Sequence, residues 1–407
     1  MTRPRFSGID FARFIALIGM MAAHVWIVNA DQSPGIVDQI AAGKAAGLFA
    51  VLAGVGISLT SRRALTAGRN CAARWNLFGR GLALIVIGLT LGLSASSVIV
   101  ILVYYGVVFW VTIPLLRWSS GALLIGAGAL AAAWPFMSSL LRAGLEQPSD
   151  LGSASWLSFS EPLAFVRGLF LTGAYPVPTW IVYVMVGMVA GRLIMSAIDD
   201  GALRRLGLRM TALGATLATA FWGVSSLVTG PLGGFESLAR DMPAINSEML
   251  TTIFYGGGMG AAPPTSLWWL ATPAPHTGTT FDLGITVGVA LAVLGACLAL
   301  GTVLSPALRR VLEPIRRAGS APLTVYVVHV IATAIPPAII RASDEAPTLA
   351  GGAWYLSSGE LWALHITGAI IIGAILLLLH RRGPLETLVS WTGRTFSKVP
   401  VPRSLRG

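Results

Sequence analysis

"GIDFARFIALIGMMAAHV", residues 8–25, is long and apolar enough to enter a bilayer, yet it holds Asp10, Arg13 and His24. Polar groups on a membrane helix face the bundle interior or a cavity, because exposure to hydrocarbon is costly. The eleven-residue step from Arg13 to His24 returns an α-helix to within about 20° of the same face, with a rise of roughly 16 Å. Asp10 lies one turn before Arg13 on that side. The stretch reads as a helix lining a polar track, with a charged pair at one end and an imidazole most of the way to the other.

The rest of the chain supports a membrane setting. Of 407 residues, 55% are hydrophobic and 11% charged, with a mean hydropathy of +0.76. Soluble domains carry about a quarter charged residues. Apolar runs of spanning length recur at 9–29, 44–60, 77–94, 97–115, 120–141, 178–197, 209–229, 283–304, 320–340 and 360–380. The expected fold is therefore all-α, a polytopic bundle of about ten transmembrane helices. It comprises one membrane domain over 1–383 and a basic tail over 384–407. The shorter run at 161–173 reads as interfacial or re-entrant. "MTRPR" followed by an apolar run superficially resembles a signal peptide, but Asp10 and Arg13 are out of place in a signal core, so this is read as an uncleaved first span.

Basic residues set the orientation. An even number of spans puts both termini on one side, which collects Arg62, Arg63, Arg69, Arg74, Arg80, Arg117, Arg192, Arg204, Arg205, Arg309, Arg310, Arg316 and Arg317. The other side holds few, including Lys44, Arg142, Arg167 and Arg240. By the positive-inside rule both termini are cytoplasmic. The net charge of +11 is thus spread over helix flanks rather than gathered into a patch, which argues against nucleic-acid binding. Cys71 and Cys297 lie far apart and read as free thiols, and no metal-ligand spacing is present. With two lysines among 28 basic residues and abundant Ala and Gly, the composition suggests a GC-rich bacterial genome, hence a bacterial plasma membrane. "YGGGMGAAPP" (255–264) lacks the Lys-Ser/Thr ending of a P-loop and reads as a flexible outer loop.

The wider opening "RFSGIDFARFIALIGMMAAHV" resembles that of the transmembrane acyltransferases of the YeiB and heparan-alpha-glucosaminide N-acetyltransferase branch. So do "AAGKAAGLFAVLAGVGISLTSRR", "LVYYGVVFWVTIPLLRW", "FLTGAYPVPTWIVYVMVGMVAGR", "PHTGTTFDLGITVGVALAVLGACL" and "RRAGSAPLTVYVVHV". The resemblance covers most of the chain. It implies transfer of an acyl group, expected to be acetyl, from cytoplasmic acyl-CoA (acetyl-CoA as co-substrate) to an acceptor on the far side of the bilayer, and it makes a homodimer plausible. The acceptor is expected to be a hydroxyl or amine on a sugar, glycolipid or envelope metabolite.

Carried onto this sequence, the resemblance gives Arg13 a CoA phosphate and makes His24 the catalytic group. Arg suits bidentate phosphate contacts. His24 acts either as the base that deprotonates the acceptor or as a nucleophile forming an acyl-His. Asp10 pairs with Arg13, and Arg80 adds a phosphate contact or merely a topological charge. Lys44, Tyr104, Tyr105 and Tyr175 are candidates for stabilising the oxyanion, with Tyr104 and Tyr105 on the cofactor side. Tyr175 and Thr179, in the Pro-interrupted "GAYPVPTW", and Lys44 are placed toward the acceptor. Tyr326 and His329 share a face of the ninth span; His329 either lines the cavity or bonds a neighbouring helix. His276 sits where an acceptor would arrive, or is an exposed loop residue. His365 and His380, near span ends, read as structural or interfacial. One departure stands out: the glycosaminoglycan acetyltransferase branch carries Asn where His24 lies and a His in the following loop, which here contains none. A secondary transporter is the rival reading, since ionisable groups in spans and Gly/Pro interruptions suit that class too.

Overall fold

The computed structural model describes residues 7–26, 40–94, 96–145, 152–336, 354–355 and 357–398. Arg3, Arg5, most of the connection after the first helix, Arg341 and the end of the tail lie outside the described residues. Among those described, the protein is all-helical. Eight helices are long and apolar enough to cross a membrane: α1 (Ser7–Val25), α2 (Lys44–Thr66), α3 (Asn70–Leu91), α5 (Ser120–Arg142), α7 (Val177–Asp199), α8 (Leu203–Thr229), α11 (Thr280–Val303) and α15 (Gly359–Leu378). Among the described residues the shorter α-helices are α4 (Leu102–Thr112), α6 (Pro162–Arg167), α9 (Gly234–Asp241), α10 (Ser247–Gly256), α12 (Pro306–Val311), α13 (Glu313–Gly319), α14 (Pro322–Thr333) and α16 (Pro384–Ser397).

Two of the ten expected spans are therefore not continuous spanning helices. The run 97–115 enters as the non-helical "SSVIV" before turning into α4. Consecutive β-branched residues disfavour the helix, and hydroxyls take over the backbone bonding. Val98 N–H donates to Ser96 Oγ at 3.0 Å and Val100 N–H to Ser153 Oγ at 2.9 Å. The run 320–340 yields α14, only 12 residues long, and is interrupted by a turn at Ala334. The run at 161–173 is also short, α6 continuing into a π-helical turn.

Small residues let the long helices touch backbone to backbone, the packing mode expected where lipid removes the hydrophobic drive. A Cβ on Gly187 of α7 would stand 2.0 Å from the Val51 carbonyl of α2, and one on Gly54 would stand 2.2 Å from the Val184 carbonyl. α8 and α11 meet likewise at Gly214 and Gly288. The ends of α1, α2, α7, α8 and α11 converge so that most described arginines lie on one face, called here the arginine face. The segment read as tail from 384 is, through Ser397, helix α16 lying along α3: Phe396 stacks against Trp75 and Phe78, and Val389 belongs to the main core.

Candidate active site

Two cavities lie one above the other along α1. The larger, about 380 Å³, opens toward the arginine face. Its walls carry Asp10 and Arg13 from α1, Arg80 from α3, Tyr105 from α4, Arg317 from α13, and Arg382 and Glu386 at the start of α16. Four guanidiniums thus meet two carboxylates, and both carboxylates are engaged. Asp10 accepts from Arg13 at 3.2 Å and from Arg316 at 2.9 Å, while Arg316 also pairs with Glu313. Glu386 caps α14, accepting from Leu323 N–H at 2.6 Å, Thr324 N–H at 3.1 Å and Thr324 Oγ1 at 2.6 Å. The cavity is electropositive and suited to phosphate groups.

The smaller cavity, about 30 Å³, lies toward the other face and is lined by His24, Tyr175, His276 and Tyr326 together with Ala46 and Ile101. His24 turns Nδ1 toward His329 Nε2 at 3.0 Å, and His329 Nδ1 lies 3.0 Å from His365 Nδ1. Tyr175 donates to the Ile99 carbonyl at 3.3 Å, and Tyr326 receives Ile101 N–H at 3.5 Å. Both bonds fall on the non-helical strip before α4, so the break in that run shapes this cavity. Tyr105 links the two spaces: it borders the larger one, and its hydroxyl donates at 3.4 Å to the carbonyl of Ala46, which lines the smaller.

His276 reaches the cavity from a loop with φ +57°, a left-handed conformation uncommon outside Gly that His, Asn and Asp adopt more readily than other residues. Neighbouring chain holds it there. Gly258 N–H donates to the Pro275 carbonyl and Gly260 N–H to that of His276, both at 2.8 Å. At Gly260, φ is +97° and a Cβ would stand 2.1 Å from the Gly173 carbonyl. The glycine-rich stretch read as a flexible loop is therefore the clamp that positions His276. Asp282 supports the same loop by accepting from Gly278 N–H at 3.0 Å and Thr286 Oγ1 at 3.2 Å. Burial and the Lys44 ammonium push His276 down to about 4, leaving it neutral at pH 7.

Most residues singled out from the sequence fall into these two groups. Asp10, Arg13, Arg80 and Tyr105 line the larger cavity; His24, Tyr175, His276 and Tyr326 line the smaller. Thr179 sits behind His276, in a recess shared with Gly278 and Asp282. Lys44 opens α2 beside the cavity-lining Gly43. Tyr104 points elsewhere, its ring set edge-on to Tyr175 at 5.5 Å, and it lines neither cavity. Sequence reading missed His365, Arg317, Arg382 and Glu386. His365 carried a usable signal, an ionisable group inside an apolar helix. The arginines did not stand out from the other charges flanking helices.

Residues 5–229, more than half of the 407, match the family model for the heparan-alpha-glucosaminide N-acetyltransferase catalytic domain. No curated protein matches the chain. The matched region contains Arg13, His24, Arg80, Tyr105 and Tyr175, whereas His276, His329 and His365 lie beyond it. With eight helices long and apolar enough to cross a membrane, the chain belongs to the heparan-alpha-glucosaminide N-acetyltransferase catalytic family and is a multi-pass membrane acetyltransferase.

Proposed function

We propose that the protein transfers an acetyl group from acetyl-CoA, held at the arginine face, to a hydroxyl or amine acceptor that enters the smaller cavity from the opposite face. The observation that carries this reading is the pair of cavities on α1, one electropositive and one lined by histidines, with Tyr105 bordering the first and bonded to Ala46 of the second. Arg13, Arg80, Arg317 and Arg382 hold the phosphates. A slender pantetheine arm running past Tyr105 brings the thioester to His24, roughly 16 Å along the helix from Arg13. Engagement of His24 through Nδ1 leaves Nε2 to take the acceptor's proton as a general base.

The arginine face is cytoplasmic in this reading, by the positive-inside rule, and the membrane is a bacterial plasma membrane. The acceptor is a sugar, glycolipid or other envelope metabolite. Family membership favours this over transport of a small anion along the same track. Calorimetry of acetyl-CoA with detergent-purified protein tests it. Micromolar binding is expected, weakened roughly tenfold or more by Arg13→Ala, the loss of one charge-assisted bond, and largely kept by His24→Ala. A folded wild type that does not bind acetyl-CoA would refute the reading.

A further inference from the structure

The mechanism above uses one imidazole, yet three are joined in a line: His24 on α1, His329 on α14 and His365 on α15, at 3.0 Å per step. This contact brings together residues 305 and 36 positions apart, and the surrounding structure holds it. Trp362, one turn before His365, donates its indole N–H to the Ile18 carbonyl of α1 at 2.8 Å and packs against Trp26. Ser358 N–H donates to the Val25 carbonyl at 2.9 Å. The first half of α15 is thereby locked to the last turns of α1.

A line of neutral imidazoles carries one proton per ring and has two polarities. In one, His24 donates from Nδ1 to His329, His329 donates from Nδ1 to His365, and His24 presents a bare Nε2. In the other, every bond reverses and His24 presents an N–H. The rings differ in burial: His329 is 3% exposed, whereas His365 is half-buried. Charge costs most on the enclosed middle ring, so a positive charge is better held at the distal end of the line than on His329.

We infer that His329 and His365 are positioning residues that hold His24 with Nε2 bare toward the cavity and store the acceptor's proton during acyl transfer. This rests on the proposed role of His24 as the base. As acceptor X–H attacks the thioester carbonyl, the X–C bond forms and the C–S bond breaks. The proton of X passes to His24 Nε2, the Nδ1 proton of His24 moves to His329 Nε2, and the Nδ1 proton of His329 moves to His365 Nδ1. Positive charge rests on His365 while the thiolate leaves. The same hops in reverse then return a proton from His24 Nε2 to sulfur. The products are acylated acceptor and neutral thiol, and each ring regains its starting tautomer without flipping.

The test is ¹⁵N spectroscopy of histidine-labelled, full-length protein in detergent, titrated with acid. The ionisable groups facing the line are His276, Tyr175 and Tyr326 across the cavity, Lys44 behind His276, and Glu360 at the start of α15. His276→Gln and Glu360→Gln samples separate their contributions from that of the line. At neutral pH His24 is expected to carry its proton on Nδ1, with couplings across both His–His hydrogen bonds, and the first added proton is expected on His365. In His329→Ala, His24 should revert mainly to the Nε2–H form common in water. His329→Gln, which still accepts and donates but cannot carry a proton, should keep Nδ1–H on His24 and abolish coupled protonation of His365. An Nε2–H His24 in the wild type, or a His24 tautomer unmoved by His329→Ala in protein that still melts cooperatively, would overturn the relay. Acetyl-CoA calorimetry on the same samples judges the acyltransfer reading separately, because the spectra report the relay with no ligand present.

Discussion

The Asp10 cluster offers the sharpest quantitative test, because one buried carboxylate is shared between two guanidiniums with different tasks. Asp10 and Arg316 have side chains 10% exposed and meet at 2.9 Å, whereas Arg13, at 3.2 Å, is 24% exposed and borders the larger cavity. Arg316→Met keeps the length of the side chain and removes its charge. At 2.9 Å and an effective dielectric of about 20, the lost attraction is about 6 kcal/mol gross, and breaking a buried pair costs about 3–5 kcal/mol net. Arg13 retains its bond to Asp10 and offsets part of that, so about 2–3 kcal/mol of destabilisation is expected. Asp10 should also draw Arg13 inward and weaken acetyl-CoA binding about three- to tenfold, which corresponds to about 1 kcal/mol. The assay is reversible unfolding in detergent of wild type, Arg316→Met, Asp10→Asn and the double variant, with calorimetry on each. The double variant should be less destabilised than the sum of the singles by at least about 1.5 kcal/mol. Additivity within about 0.5 kcal/mol would show that Asp10 and Arg316 are uncoupled and would refute the sharing of Asp10 between Arg316 and Arg13.

Gly187→Ala should lower the unfolding midpoint, with a cost of about 1–3 kcal/mol or more for forcing α7 off α2, since the added carbon would stand 2.0 Å from the Val51 carbonyl; an unchanged midpoint would disprove the close approach. His276 titrates near 6.5 when unfolded and near 4 in the fold. The unfolded chain therefore binds the extra proton between those values, and stability falls as pH drops through that window, by up to about 3 kcal/mol. Lys44→Met, which removes the neighbouring positive charge, should shrink the loss between pH 7 and pH 4.5; equal pH slopes for the variant and wild type would show that Lys44 does not act on His276.

Much of the site was legible along a single helix. Periodicity alone places Asp10, Arg13 and His24 on one face of α1 with the right rise between them, and hydropathy marks the eight long helices, because both properties depend on residues close in sequence. The same logic overreached at 97–115 and 320–340. Hydropathy measures how apolar a run is and does not register where β-branched residues resist the helix before Leu102 or where a turn at Ala334 interrupts it. Those breaks matter to the site, since the strip over Val98–Ile101 supplies backbone groups to Tyr175 and Tyr326.

What the sequence determined by itself is the class of molecule and the polar face of its first helix: an all-helical membrane protein with charge at one end of a track and an imidazole near the other. Only the tertiary structure decided what meets that face. His329 and His365 join His24 through α14 and α15 packing beside α1, His276 through a loop clamped by Gly258 and Gly260, Arg317 through the short helix α13 and Arg382 through the link that leads into α16. Each lies far from α1 in the chain. A helical period relates residues a few turns apart, whereas contacts across hundreds of residues depend on how whole helices pack, and here that packing runs through glycine approaches that no single segment encodes.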